Sequence, residues 1–287
     1  MDSRAQHPML ALNRVTLRVA GRRLLQDICA RAAPGEMIVL LGPNGAGKSS
    51  LLRLLAREYS DYQGEVQLAG RRLSRWGGAE LARCRAVMPQ HTPVSFPFAA
   101  AEVVALGLPG ALSGRTGHPA VTSLMRALQV DHLAWRFYAD LSGGEQQRVQ
   151  LARVLAQLWL TPGPKLLLLD ECTSALDPAQ QHRIMALLAG LARRGDFCVI
   201  AACHDLALAA TCASRIWLLE HGRLVADGTP AAVLQPARLE RVYGIRTRVE
   251  PGHPPRVYVE GSNEAAPALV WPEPPAQNGS GQQAFQP

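Results

Sequence analysis

The stretch "GEMIVLLGPNGAGKSSLLRLL", residues 35–55, constrains the fold more than any other. An apolar run, Met37 to Leu41, leads into a glycine-rich loop, and leucines at helical spacing follow it. Gly42 to Ser49 fits the pattern G-x-x-x-x-G-K-[ST]. Gly42, Gly45 and Gly47 let successive backbone N–H groups turn inward, and the helix behind adds its positive N-terminal end. With Pro43, Asn44, Ala46 and Ser50, they are predicted to cradle a polyphosphate. Lys48 is placed to reach the β- and γ-phosphates, and the Ser49 hydroxyl to bind Mg²⁺. A strand in front and a helix behind distinguish such a loop from a glycine turn that merely precedes a helix.

A second stretch, "PKLLLLDECTSALD", residues 164–177, ends four leucines in two adjacent carboxylates. A short continuous apolar run reads as a strand buried on both faces, as in a parallel sheet. Charges at its end are costly unless a cation or a hydrogen-bonding group waits there. With a phosphate loop upstream, Asp170 is predicted to hold Mg²⁺. Glu171 is predicted to face the γ-phosphate and polarise the attacking water. A pair that simply ends its strand in solvent is the alternative.

Composition narrows the partners. The net charge is +7, but the arginines are scattered without a basic stripe or interleaved aromatics, so no nucleic-acid partner is expected. Only Lys48 and Lys165 are lysines; all other basic residues of the Lys/Arg class are arginine. A lysine kept inside a glycine loop suggests a site that needs a compact ammonium rather than a planar guanidinium. No apolar run reaches the roughly 18–20 residues of a membrane span. The opening "MDSRAQHPML" matches neither a signal peptide nor an acylation site, so a chain kept in the cytoplasm is expected. The six cysteines show no zinc-like spacing and read as reduced, mostly buried thiols.

Along the chain, "LALNRVTLRVA", "RLLQDICARA" and "GEVQLAGRRL" read as short strands around the loop-bearing unit. From about Glu102 to Leu160 the pattern is mainly helical. Strand "KLLLLD", helix "PAQQHRIMALLAGLARR", strand "CVIAAC", helix "DLALAATCA" and strand "RIWLLE" follow. This alternation predicts an α/β fold with a parallel core sheet and an inserted helical lobe. A cassette over residues 1–250, with the helical part at about 91–158, is expected. The Pro/Gly-rich tail 251–287 is predicted to be largely disordered apart from a possible strand at "PRVYVE".

Between the two stretches lies "LSGGEQQRVQLARVLAQ", where Ser142, Gly143 and Gly144 precede a long amphipathic helix. This is a second anion-binding helix terminus, which one nucleotide in one chain does not need. With this motif the chain resembles an ATP-binding cassette (ABC) ATPase over about residues 9 to 250. The resemblance implies a phosphate-loop NTPase fold with a parallel core sheet, an N-terminal antiparallel β subdomain and an inserted helical subdomain. It implies ATP and Mg²⁺ as ligands and a head-to-tail dimer in which Ser142, Gly143 and Gly144 bind the nucleotide of the second copy, Ser142 and Gly144 touching its γ-phosphate. Gln90, in "VMPQH", matches the residue that contacts Mg²⁺ or the water. Asp177, in "SALD", matches the loop crossing the dimer, and His204, in "ACHDLALAA", matches the switch histidine.

Two departures from the family pattern stand out. The family's adenine-stacking aromatic falls on Val19, and Arg18 or Arg22 is a candidate to cover the ring instead. Cys172 stands where proline usually follows the catalytic glutamate. Within the family, "RAVMPQH" followed by "FPF" is most similar to the haem-import subgroup, which implies two transmembrane permease subunits, a periplasmic haem-binding protein and a peripheral place on the cytoplasmic face of a bacterial inner membrane. Importers of ferric siderophores or cobalamin, and a soluble iron–sulfur assembly ATPase, are the alternatives. Phe96 and Phe98 are expected either to grip a partner helix or to pack internally.

Overall fold

The computed structural model describes residues 8–90 and 96–263. An antiparallel sheet is built from β1 (Leu10–Val19), β2 (Arg22–Ala32), β4 (Gln63–Leu68) and the two-residue β5 (Arg71–Arg72), in the order β2-β1-β4-β5. The central sheet holds β3 (Met37–Leu41), β6 (Arg85–Met88), β7 (Lys165–Asp170), β8 (Phe197–Ala202), β9 (Arg215–Glu220) and β10 (Arg223–Gly228), in the order β10-β9-β3-β8-β7-β6. Its first five strands in sequence pair in parallel. The sixth, β10, is antiparallel to β9, a departure from a wholly parallel sheet. Only His221 and Gly222 link the two, and a link that short permits only a hairpin.

The helices are α1 (Lys48–Leu55), α2 (Gly78–Cys84), α3 (Ala100–Ala105), α4 (Pro119–Ala127), α5 (Gly143–Leu158), α6 (Pro178–Arg193), α7 (Leu206–Cys212), α8 (Pro230–Val233) and α9 (Pro236–Tyr243). Strands β3, β7 and β8 are continuously apolar because both of their faces are covered. Val39, Leu167, Leu169 and Val199 face one apolar cluster, which also takes Val103, Val121, Val149 and Leu155 from the helical lobe. Ile38, Leu166, Leu168 and Ile200 face the other, shared with Leu12, Leu17, Leu25 and Val66 of the antiparallel sheet. The period-2 alternation of a strand thus joins the two layers through one sheet. Each buried leucine contributes roughly 1.5–3 kcal/mol relative to exposure.

The strand expected at "PRVYVE" is β12 (Arg256–Ser262), and it pairs antiparallel with β11 (Ile245–Glu250). A boundary at residue 250 therefore falls inside a hairpin. The rest of the predicted tail, 264–287, lies outside the described residues, as do 91–95 at the start of the predicted helical lobe. Among the described residues no helix is long and apolar enough to cross a membrane.

Candidate functional site

The C-terminal ends of the parallel strands form the site, the usual place in an open α/β sheet. Gly42 ends β3 with φ 147°, and a Cβ there would lie 2.3 Å from the Leu219 carbonyl oxygen. Gly47, at φ 103°, caps α1, and its Cβ would lie 2.9 Å from the Leu24 oxygen. Side chains at either position would push the loop off its neighbours. The first turn of α1 carries no acidic residue to neutralise its positive end. Lys48 is buried and folds back on the loop, donating to the Gly42 oxygen at 2.6 Å and the Pro43 oxygen at 3.1 Å. Burial pushes its pKa below the ordinary lysine value, against the opposing charges of Glu171 and Asp170.

Next to it, the Ser49 hydroxyl donates to Asp170 Oδ1 at 3.2 Å. Burial, helped by the negative Glu171, raises the Asp170 pKa, while the Ser49 hydrogen bond and the positive Lys48 oppose the rise. A buried carboxylate beside a hydroxyl is a hard oxygen donor set that fits Mg²⁺. Among the described residues no group of three His, Cys, Asp or Glu forms a protein-only metal cage. That too suits Mg²⁺, which usually keeps waters and substrate oxygens among its ligands.

Glu171 follows at φ 54°, a left-handed backbone that a non-glycine residue rarely adopts. Its carboxylate accepts from Gln90 Nε2 at 2.9 Å and lies 2.5 Å from His204 Nε2. Its carbonyl oxygen accepts from Gln147 Nε2 at 2.8 Å and from the Ser174 hydroxyl at 3.1 Å. Gln147 also accepts from the Ala175 amide at 3.1 Å. Gln147 sits in the quoted "GGEQQ" run, but nothing in its spacing signals that it reaches Glu171.

A cleft of about 400 Å³ runs along the loop, lined by Asn44 to Ser50 and by Glu171, His204, Arg23, Leu24, His221 and Gly222. Arg18 and Arg22 are not among the residues that line it, whereas the next residue, Arg23, is. Val19 pairs with Arg22 in the β1–β2 hairpin and packs on the apolar cluster beneath.

Comparison with known proteins agrees with this geometry. The family description "ABC transporter" matches residues 25–174. A curated relative named Hemin import ATP-binding protein HmuV, from Pseudomonas entomophila, is 47% identical over 86% of this chain and 97% of its own. A second of that name, from Gloeobacter violaceus, is 44% identical over 84% of this chain and 89% of its own. The chain belongs to the ABC transporter family. ATP-binding subunits of import systems in this family hydrolyse ATP coupled to transport. Among solved structures, a bacterial Atm1-family ABC exporter with ATP bound is 26% identical with a TM-score of 0.69. It matches 80% of this chain, which spans 40% of the exporter. An ATP-binding cassette in its ADP conformation, 20% identical with a TM-score of 0.68 over 83% of this chain and 99% of its own, shares the fold.

The ABC cassette thus gathers Gly42 to Ser50, Asp170, Glu171, Gln90 and His204 in one place. Ser142, Gly143, Gly144 and Asp177 do not line that cleft. Ser142 caps α5 in a reciprocal box: its hydroxyl accepts from the Glu145 amide at 3.4 Å, and its own amide donates to the Glu145 carboxylate at 2.8 Å. Gly144 packs so closely on the Ser174–Asp177 loop that a Cβ would lie 3.0 Å from the Ala175 oxygen. Asp177 is exposed and caps α6 by accepting from the Gln180 amide at 2.9 Å.

Proposed function

We propose that this chain is the ATP-hydrolysing subunit of a haem importer, acting as a head-to-tail pair beneath two membrane-spanning permease subunits on the cytoplasmic face of a bacterial membrane. The observation that carries the cargo is the shared name of relatives 44–47% identical over most of the chain, all called hemin import ATP-binding proteins. The pairing draws its support from the site: Ser142, Gly143 and Gly144, at the start of α5, lie outside this chain's own cleft. In a head-to-tail pair they face the γ-phosphate bound by the other copy, and Asp177 lies at the crossing.

The catalytic reading follows from the contacts. The amides of the Gly42–Ser50 loop and Lys48 hold the phosphates, spreading the charge that builds on them. Ser49 and Asp170 would hold Mg²⁺, with Gln90 beside them, and the ion would supply positive charge to the phosphate oxygens. Glu171 takes a proton from the water that attacks the γ-phosphorus, as ADP leaves in line. Gln90 and His204, both on the Glu171 carboxylate, orient it and sense whether phosphate is present. Phe96 is 69% exposed, while Phe98 packs on the core with its ring 6.0 Å away. Phe96 is therefore the residue of that pair available to a permease helix.

Extraction of the protein from native membranes in mild detergent tests this reading. Stoichiometric recovery with a polytopic membrane dimer, and stimulation of its ATPase by a haem-loaded periplasmic binding protein, are the expected results. Recovery with soluble scaffold proteins alone would sink the importer assignment.

A further inference from the structure

We propose that His221 and Arg23 form the purine-facing wall of the nucleotide cleft, doing with an imidazole and a guanidinium what an aromatic ring at Val19 would otherwise do. The proposal rests on the reading of the Gly42–Ser50 loop as the ATP phosphate site. No Phe, Tyr or Trp is among the residues lining the cleft, and the wall that β2 presents to it is Arg23 and Leu24.

The turn that carries His221 is fixed against the phosphate loop. The Gly222 amide donates to the Ala46 oxygen at 2.9 Å, and the Gln26 amide donates to the Gly222 oxygen at 2.8 Å. A Cβ on Gly222 would lie 2.6 Å from the Leu24 oxygen, so the turn, β2 and the loop have no slack between them. His221 and Gly222 both have positive φ, 47° and 74°. Such two-residue hairpins favour Asn-Gly or Asp-Gly. A histidine held there against the local preference, among the residues lining a cleft, is a conformational cost placed at a candidate functional site.

Neither side chain is engaged elsewhere: among the described residues neither His221 nor Arg23 forms a side-chain hydrogen bond, an ion pair or a ring contact. The acid lining the cleft is Glu171, which is already gripped by Gln90 and His204. A planar guanidinium and an imidazole therefore remain free to meet a flat, electron-rich ring, beside Leu24, which packs on the apolar cluster beneath. Arginine planes and histidine rings both stack on nucleobases.

Calorimetric titration of the full chain with ATP, and separately with inorganic tripolyphosphate, tests this, both in Mg²⁺. The base-free ligand keeps the phosphate contacts and lacks the purine. His221→Asn keeps a residue suited to positive φ while removing the ring; His221→Tyr restores a ring; Arg23→Ala removes the guanidinium. His221→Asn and Arg23→Ala are each expected to weaken ATP about five- to tenfold, with His221→Tyr near the unaltered value. Tripolyphosphate affinity is expected to stay constant throughout. Unchanged ATP affinity in both variants, or equal weakening of ATP and tripolyphosphate, would overturn the proposal. Equal ATP binding by the unaltered chain and by Lys48→Ala would instead overturn the phosphate-site reading, and the proposal with it.

Discussion

His204 Nε2 lies 2.5 Å from Glu171 Oε1, and the sheet register explains why they meet. Strands β7 and β8 run parallel with Asp170 opposite Ala202, so the residues just past each strand emerge side by side. Strand β6 pairs on the far side of β7, with Met88 opposite Leu169, and delivers Gln90 to the same carboxylate. Three neighbouring strands thus converge on one oxygen pair. Glu171→Gln keeps the shape and removes the proposed base. ATP hydrolysis is expected to fall by about a hundredfold or more, with ATP binding retained and a closed dimer accumulating. Single-turnover hydrolysis and size-exclusion chromatography in ATP read both effects; a near-normal rate would remove Glu171 from the role of base.

Gln147 holds the backbone of Glu171 rather than its carboxylate, through the carbonyl contact at 2.8 Å. It also ties that carbonyl, at φ 54°, to the first turns of α5. Gln147→Ala removes the tie, leaving the left-handed Glu171 backbone less constrained. The expected outcome is a tenfold or so lower kcat, since misplacement of a catalytic group is costly, with KM for ATP little changed. A matched rise in KM would show that Gln147 acts on nucleotide binding.

Lys165, the second lysine of the chain, is buried at the start of β7 and donates to Asp196 Oδ2 at 3.0 Å. Burial pushes the Asp196 carboxyl up, but the hydrogen bond and charge of Lys165, with Arg194, outweigh it and leave the carboxyl below its ordinary value of 3.8. A depressed carboxylate adds stability that is full above the unfolded value and is lost as pH falls through the folded one. Lys165→Met is expected to cost about 1–3 kcal/mol in urea denaturation at pH 7. The gap from the unaltered protein should narrow as pH drops below 3.8. A gap that stayed constant with pH would mean that Lys165 contributes by packing on Phe197, whose ring lies 5.2 Å from its ammonium.

Cys172 follows Glu171 but is fully buried, and burial pushes its thiol up to about 12. Cys203, beside His204, is raised by burial to about 11. Thiolates, not thiols, react with alkylating agents. Iodoacetamide on the folded protein at pH 7.5, a condition set by roughly the range where free thiols begin to ionise, is expected to modify exposed Cys29 and spare Cys172, Cys198 and Cys203. Rapid native-state labelling of Cys172, mapped by mass spectrometry, would show that the loop after Glu171 opens.

Much of this was legible before the fold. The phosphate loop and the strand ending in Asp170 and Glu171 announce themselves because each compresses its chemistry into a few consecutive residues. Leu166 to Leu169 read as a doubly buried strand because no polar residue interrupts them, and they are one. What the sequence hid is what tertiary contact decides. Gln147 looks like any helix-surface glutamine until β7 is seen to end beside it. Arg23, not Arg22 or Arg18, is among the residues lining the cleft, and only the folded position of β2 against the loop decides that. The antiparallel β10 and the pairing of β11 with β12 depend on partners whose identity no local pattern records.

Trp135, Phe137 and Phe96 are 76%, 55% and 69% exposed. They sit on two segments that pair, 96–100 running antiparallel to 134–138: the Tyr138 amide donates to the Phe98 oxygen at 2.8 Å, and the Ala100 amide to the Arg136 oxygen at 2.9 Å. Exposed aromatics at that density suit the anchors of a protein interface. Truncating exposed side chains costs the isolated fold little, so Trp135→Ala with Phe137→Ala should leave thermal stability and basal ATP hydrolysis near the unaltered values. Binding to the permease subunits should weaken by about 2 kcal/mol or more, roughly thirtyfold in Kd. Detergent co-purification at matched expression reads that loss directly. If the double variant still recovers the permease in full amount, the coupling surface lies elsewhere on the helical lobe, and these aromatics answer to a different partner.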